Sequence, residues 1–241
     1  MSVVLPYKEA KDGKKKQVAR MFDSIAGRYD LLNHLLSAGI DVRWRKKAIA
    51  LLKAKQPRQI LDIATGTGDF ALEALSLNPE KVTGIDISEG MLNVGREKIT
   101  KLGLAHKIEL KKGDSEKIES PDNYFDAVIV AFGVRNFENL PVGLAEMQRV
   151  LKPGGTVVIL EFSKPSGVFF KGVYNFYFKY ILPFVGRLIS GDSAAYTYLP
   201  ESVNEFPYGR QFVELLEKTG FKSAECKELT FGISSIYTAT K

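Results

Sequence analysis

The sequence predicts an α/β protein whose sheet is mostly parallel and covered on both faces by helices. Three observations carry this reading. Candidate strands near 59–64, 81–86, 107–112, 125–131 and 156–161 alternate with candidate helices near 69–77, 88–102 and 139–150. Alternation at that spacing implies right-handed crossovers and strands buried on both faces. The first strand runs into a glycine turn, Ile60-Leu-Asp-Ile-Ala-Thr-Gly-Thr-Gly-Asp-Phe70, and a carboxylate ends the second, Val82-Thr-Gly-Ile-Asp86. Ligands of such sheets bind beyond the carboxyl ends of the strands, so the loops after 64, 86, 112 and 131 should share one crevice.

The remaining elements follow in chain order. A basic run, Lys11, Lys14, Lys15 and Lys16, opens the chain, and residues 1–17 read as a solvated, flexible tail. Attraction of this run to an anionic membrane surface is the sharper alternative. Helical spacing over Val18–Leu36 and Val42–Leu52 puts N-terminal helices within 18–55. After Glu161 the pattern changes. Between Phe169 and Ile189 stand Phe169, Phe170, Tyr174, Phe176, Tyr177, Phe178, Tyr180 and Phe184, punctuated by Lys171, Lys179 and Arg187. A run so aromatic suits a helical lid or an interfacial segment over 166–195, its cations snorkelling toward head groups. A core helix pair is the simpler alternative. A helix near 208–219 and two closing strands near 222–230 and 233–240, joined around Gly232, bring the strands to seven. No linker interrupts the middle, so 1–241 is read as one domain.

Composition narrows the function. The chain has 241 residues, 45% hydrophobic and 26% charged, as a globular protein should. One cysteine, Cys226, excludes an internal disulfide. Met1 to Lys16 lacks the apolar core of a signal peptide, and no apolar run is long enough to span a bilayer. A cytoplasmic location is therefore expected. No His/Cys/Asp cluster has metal-ligand spacing, and His34 and His106 read as structural or solvated. The net charge of +6 admits nucleic acid, but no recognition motif accompanies it.

The glycine turn and Asp86 together describe a nucleoside-cofactor site. Gly66 and Gly68 allow a tight turn and a close approach to the backbone. Asp86 can accept both hydroxyls of a ribose. With Ala71 in the third place, and Asp86 about 20 residues on, the loose dinucleotide pattern is also met. Asp69 argues against it, because a carboxylate at the helix start would repel a pyrophosphate. It suits the cationic S-adenosylmethionine better, and Asp62 adds a second carboxylate near the methionine amine.

Three segments resemble the UbiE/MenG family, the ubiquinone and menaquinone biosynthesis C-methyltransferases. They are Phe22-Asp-Ser-Ile-Ala-Gly-Arg-Tyr-Asp-Leu-Leu-Asn33, continuing through Leu36-Ser37 to Trp44; Phe132-Gly-Val-Arg-Asn136; and Arg149-Val-Leu-Lys-Pro-Gly-Gly-Thr-Val-Val-Ile-Leu-Glu-Phe-Ser163. The likeness runs from about Val18 to the C-terminus. Leu32 and Asp41 depart from it, standing where Met and His are usual. The resemblance implies a class I S-adenosylmethionine methyltransferase fold, Rossmann-like, with the closing strands as its antiparallel hairpin. It places cofactor contacts at Thr67, Asp86, and Asp114-Ser115 after the third strand, beside Gly66, Gly68 and Asp62. It implies a prenylated quinol as substrate, demethylmenaquinol before the benzoquinol of the ubiquinone pathway. Peripheral contact with the inner face of the membrane follows from the prenyl tail, and a homodimer is compatible with the family. No nucleic-acid partner is implied, since nucleic-acid amine methyltransferases carry an Asn/Asp-Pro-Pro-aromatic motif where Phe132–Asn136 stands.

Aromatic carbon is a weak nucleophile toward a sulfonium methyl, so the acceptor ring should be the reduced quinol. Losing a phenol proton, with a free pKa near 10, pushes charge onto the ring carbons. Arg135, expected at the mouth of the crevice and oriented by Asn136, is the cation that would hold the quinol oxygen. A surface ion pair with Glu138 is the plain alternative for Arg135. Tyr29 and Asp30 in the N-terminal helix are candidates to close the site or assist proton transfer, with packing an equal alternative for Tyr29. An NAD-dependent oxidoreductase and a non-catalytic membrane-binding protein are the rival readings. The first lacks a catalytic acid, and the second leaves the crevice without a use.

Overall fold

A computed structural model describes residues 4–37, 39–165, 172 and 193–241. The element order is α1 (Lys14–Leu36), α2 (Ile40–Ala50), β1 (Gln59–Ile63), α3 (Asp69–Ala74), β2 (Lys81–Asp86), α4 (Glu89–Lys101), β3 (Ile108–Lys112), β4 (Phe125–Ala131), α5 (Leu140–Val150), β5 (Leu151–Phe162), α6 (Ser193–Glu205), α7 (Arg210–Lys218), β6 (Lys222–Leu229) and β7 (Ser234–Thr240). The seven strands form one sheet in the order β3-β2-β1-β4-β5-β7-β6. β7 runs antiparallel to β5 and to β6, and the other pairs are parallel. This is the class I methyltransferase architecture. The aromatic segment expected as a lid over 166–195 lies almost wholly outside the described residues.

Period-two alternation builds two cores from one sheet. Leu61, Ile63, Val128, Val130, Val157 and Ile159 point to one face, against α5 and α7. Ile60, Ala127, Ile129, Val158 and Leu160 point to the other, against Trp44, Ile49, Phe70 and Leu92. The strands therefore read as unbroken apolar runs, and their tips are the places where polar groups can stand. Strand order reverses at β1, between β2 and β4, which opens the crevice that such sheets use for ligands.

Helix ends follow local chemistry. Ser88 caps α4 by accepting the Met91 amide, and Lys98 and Lys101 occupy its last turn. Asn139 caps α5, with Pro141 in the first turn.

Two boundaries differ from the sequence reading. β5 begins at Leu151 rather than near 156. Phe125 pairs with Leu151 and Ala127 with Thr156, so Lys152–Gly155 form a bulge, eased by Gly154 at φ 78°. α1 begins at Lys14 rather than Val18, so Lys14–Gln17 are helix and not flexible tail. Among the described residues, no helix is long and apolar enough to cross a membrane.

Candidate active site

The tips of β1, β2 and β3 supply the cofactor side of a cleft of about 650 Å3, counted to its open mouth. After β1 the chain turns through Ala64 (φ 53°), Gly66 (φ 57°) and Gly68 (φ 83°). This turn aims the Gly66 amide at Asp86, whose Oδ2 accepts it at 2.8 Å. Asp86 Oδ1 accepts the Ser88 amide, also at 2.8 Å. Asp86 is thus held by backbone while its carboxylate borders the cleft. Burial pushes its pKa up to about 6, against the pull of those amides. Asp62, fully buried below, accepts the Thr65 hydroxyl at 2.6 Å on Oδ2, and its Oδ1 makes no hydrogen bond. Burial first, and then the nearby Asp86 charge, raise the Asp62 carboxyl to about 7.

These residues fit the adenosine end of S-adenosylmethionine. A carboxylate at a strand tip stands ready for hydroxyl donors, and glycine backbone lies beside it. A Cβ on Gly66 would come within 3.2 Å of the Met91 methyl. The orphaned Asp62 oxygen is a buried acceptor without a donor, which costs free energy unless a ligand or water satisfies it.

The other expected contacts are placed less simply. Asp114 and Ser115 border the cleft after β3. The Asp114 carboxylate is already engaged: Oδ2 accepts Lys15 Nζ at 2.6 Å and Oδ1 accepts the Glu116 amide at 2.9 Å. Thr67 is buried, and its hydroxyl turns to Asp30 at 2.6 Å. Asp69 does not present a bare negative charge. Lys98 Nζ lies 2.8 Å from it and Arg45 3.7 Å, so the argument from repulsion of a pyrophosphate loses its force.

α1 straps the cleft at each tip. Lys15 reaches the β3 side, while Asp23 accepts the Ser88 hydroxyl at 2.6 Å and the Gly90 amide at 2.8 Å over β2. Asp30 joins Thr67 to Lys98 over β1. Asp30 is therefore an anchor of the strap, not a group free to carry a proton. Tyr29 borders the cleft with its ring edge-on to Phe22 at 5.9 Å. Lys14 donates to the Arg135 and Phe137 carbonyls, and burial lowers its pKa to about 8. Asp41, one of the two departures from the family pattern, takes a buried ion pair with Arg45 at 2.6 Å and the Ser37 hydroxyl at 2.6 Å.

The acceptor side forms after β4. Phe132 takes a left-handed conformation (φ 57°), and a Cβ on Gly133 would strike that of Ala64 at 2.5 Å, so the chain passes close over β1 into the 3-10 turn Val134–Asn136. Asn136 borders the cleft. Arg135 does not stand at the mouth: its side chain is 7% exposed. Its partner is Glu161, completely buried at the end of β5, with Nη1 to Oε1 at 2.7 Å, rather than Glu138. Nη1 also donates to the Phe132 carbonyl, and the guanidinium carbon lies 5.4 Å from the centre of the Phe162 ring. Glu161 and this ring orient Arg135; Asn136 does not. Burial raises the Glu161 carboxyl, with the Arg135 charge opposing it.

Sequence reasoning missed Glu161, Lys15 and Asp23. Glu161 had a signal, a carboxylate ending an apolar strand within a matched motif. The other two had none beyond helical spacing. His106 is exposed and hydrogen-bonds the Gly103 carbonyl, and the side chain of His34 lies outside the described residues.

Comparison with known proteins agrees with this geometry. The model of the ubiE/COQ5 methyltransferase family matches residues 9–241. A demethylmenaquinone methyltransferase of Bacteroides fragilis is 51% identical, covering 99% of this chain and 97% of its own. The ubiquinone/menaquinone biosynthesis C-methyltransferase UbiE of Geobacter sulfurreducens is 46% identical, over 95% and 90%. Among solved structures, an S-adenosylmethionine-dependent methyltransferase from Aquifex aeolicus superposes with a TM-score of 0.55 at 26% identity, over 76% and 81% of the chains. The [4+2]-cyclase SpnF reaches 0.66 at 17% identity over 95% and 96%, and shows the fold alone.

Proposed function

The chain belongs to the ubiE/COQ5 methyltransferase family, and on that premise we propose that it methylates a ring carbon of a prenylated quinol, demethylmenaquinol before any other. It is an S-adenosylmethionine-dependent methyltransferase. Arg135, paired with Glu161, follows the cleft-lining Phe132 and Gly133 and precedes Asn136, although it borders a second cavity and not the cleft itself. This pair carries the acceptor reading, because a ring carbon becomes nucleophilic only as negative charge gathers on its oxygens.

When bound, S-adenosylmethionine supplies an electrophilic methyl group that leaves its sulfur without the bonding electron pair. Asp86 accepts from the ribose hydroxyls, and the amides of Gly66 and Ser88 keep that carboxylate in place. Asp114, Ser115 and the Thr67 main chain take the remaining contacts. Arg135 holds the acceptor oxygen as charge grows on it, directly or through one water. A cation at 4 Å is worth on the order of 4 kcal/mol at an effective dielectric near 20, less what Glu161 cancels. Glu161 keeps the guanidinium from swinging away. The ring carbon would take the methyl as the sulfur keeps the bonding pair, and would then release its hydrogen as a proton to water. Tyr29 and α1 cover the cleft and exclude solvent.

Such an acceptor carries its prenyl tail in a bilayer, so the enzyme should work against the inner membrane face. Leu31 and Phe231, each 64% exposed, are the large apolar residues most open to solvent among those described.

The test is methyl transfer from radiolabelled S-adenosylmethionine to chemically reduced demethylmenaquinol, with the oxidised quinone and the ubiquinone-pathway benzoquinol alongside. Label only in the reduced ring is expected, and more in demethylmenaquinol. Arg135→Ala should lower turnover by roughly 100- to 1000-fold with cofactor binding intact. Transfer to neither quinol by protein that binds the cofactor overturns the substrate.

A further inference from the structure

Lys14, in the first turn of α1, donates from Nζ to the Arg135 carbonyl at 3.1 Å and the Phe137 carbonyl at 2.8 Å. These two residues flank Asn136, which borders the cleft. The 3-10 turn closes on itself through the Gly133 and Val134 carbonyls, and Lys14 takes those at its open end. A lysine can satisfy carbonyls that the end of a helical turn leaves open. On the other side, Glu161 accepts the Arg135 amide at 3.3 Å and its Nη1 at 2.7 Å. The turn is thus gripped by β5 through its amide and by α1 through its carbonyls. The side-chain bond of Asn136, from Nδ2 to the Phe132 carbonyl, is long at 3.4 Å, so the main chain decides where this residue stands.

The clamp carries a charge that a simple staple would not need. Lys14 is half-buried and borders the second cavity together with Arg135. Arg135 of the turn, Glu116 after β3, Glu138 ahead of α5 and Glu205 of α6 are the charged groups around it. Desolvation first, and then the like charge of Arg135, lower its pKa to about 8. A neutral donor would avoid both costs. What the ammonium adds is charge-assisted bonds, roughly twice as strong as neutral ones. Its neighbour Lys15 reaches Asp114 at 2.6 Å, and Val18, Phe22 and Tyr29 of the same helix border the cleft. Lys14 therefore grips the turn only while α1 is seated over the cofactor side.

We propose that Lys14 is a positioning residue for methyl transfer, its charged amine clamping the carbonyls of Arg135 and Phe137 so that the turn presents Asn136 and Arg135 to the acceptor. The assignment rests on the quinol reading above. Lys14 does not touch the acceptor and acts through the turn.

The test follows methyl transfer to reduced demethylmenaquinol from about pH 7 to 9.5. It compares the full-length protein with Lys14→Met and Lys14→Arg, each corrected for its folded fraction. At pH 7 the native kcat/KM for the quinol should exceed that of Lys14→Met by roughly 10-fold. That ratio should shrink toward about threefold as pH rises through 8, because the clamp loses its charge. Lys14→Arg stays charged and should keep its lead over Lys14→Met across the range. Ionisation of the quinol itself is common to all three and cancels in the ratios. Stability should run the opposite way. Lys14 gives up its proton more readily in the folded chain, so its contribution is fully present above about pH 10.5 and lost as pH falls through 8. Relative to Lys14→Met, the native protein should therefore gain denaturant stability over the range in which it loses turnover. A native-to-Met ratio near one, or one that does not change with pH, overturns the Lys14 assignment and leaves the quinol reading standing. No transfer to the quinol by native protein that binds the cofactor overturns that reading and this assignment with it.

Discussion

Asp86 and Glu161 are both buried carboxylates at strand tips, and each accepts two backbone amides. Asp86 takes those of Gly66 and Ser88. Glu161 takes those of Phe162 and Arg135 and, in addition, the Arg135 guanidinium. The cofactor half of the site therefore rests on main-chain geometry that a short motif can encode. The other half adds a side-chain ion pair that forms only when the loop after β4 packs on β5. A carboxylate held by amides keeps its place when a ligand comes and goes, whereas one paired with a guanidinium is half of a unit that neither member survives alone.

The largest effect should come from splitting that unit. Glu161→Ala leaves Arg135 as an uncompensated buried charge, and unfolding in denaturant should show a loss of about 3–5 kcal/mol. A loss under about 1 kcal/mol would mean that solvent reaches Arg135 easily and the pair is not a unit. On the other half, Asp86→Ala should weaken cofactor binding by roughly 100-fold in calorimetry, about 2.7 kcal/mol, since two charge-assisted hydroxyl contacts go with it. Stability should change less than for Glu161→Ala, as neutral amides of Gly66 and Ser88 lose a partner there and no charge is left buried alone.

A third experiment sharpens the contrast through pH. Burial raises the Asp62 carboxyl from its ordinary 3.8 to about 7. Its raised pKa means that the native state holds a proton which the unfolded chain gives up. The stability this provides is fully present below about pH 4 and is lost as pH rises through 7, by on the order of a few kcal/mol. Thermal unfolding of Asp62→Asn between pH 4 and 8 should lack that share of the decline, and parallel curves would remove the assignment. The smallest effect should be that of Lys15→Ala. The Lys15–Asp114 pair is about one-third exposed at each partner, so it is worth under about 1 kcal/mol. Freeing Asp114 should tighten cofactor binding by about two- to fivefold; weaker binding would show that Lys15 holds the closed cleft together instead of competing for it.

The sheet was largely legible before folding. β1 to β4 fall within a residue or two of their expected bounds. β1, β2 and β4 do so because strands covered on both faces are rich in apolar residues, and the edge strand β3 because Ile108 and Leu110 alternate with exposed charge. β5 began early since its glycines hid a bulge, which only pairing with β4 reveals. Thr67 shows the limit at a single residue. Its place in the glycine turn was plain, yet its hydroxyl direction depends on Asp30, 37 residues earlier. Lys15 was one lysine in a basic run, and nothing local distinguished it as the partner of Asp114, 99 residues away.

By itself, then, the sequence determined the α/β class, the glycine turn, Asp86 at its strand tip and the family. All of these are encoded over stretches of a few residues, where steric rules and hydrogen-bond geometry act within one turn or strand. Only the tertiary structure decided that Arg135 is buried against Glu161 and that α1 straps the cleft. Those facts depend on desolvation, and whether a charge is desolvated is settled by every element that packs over it.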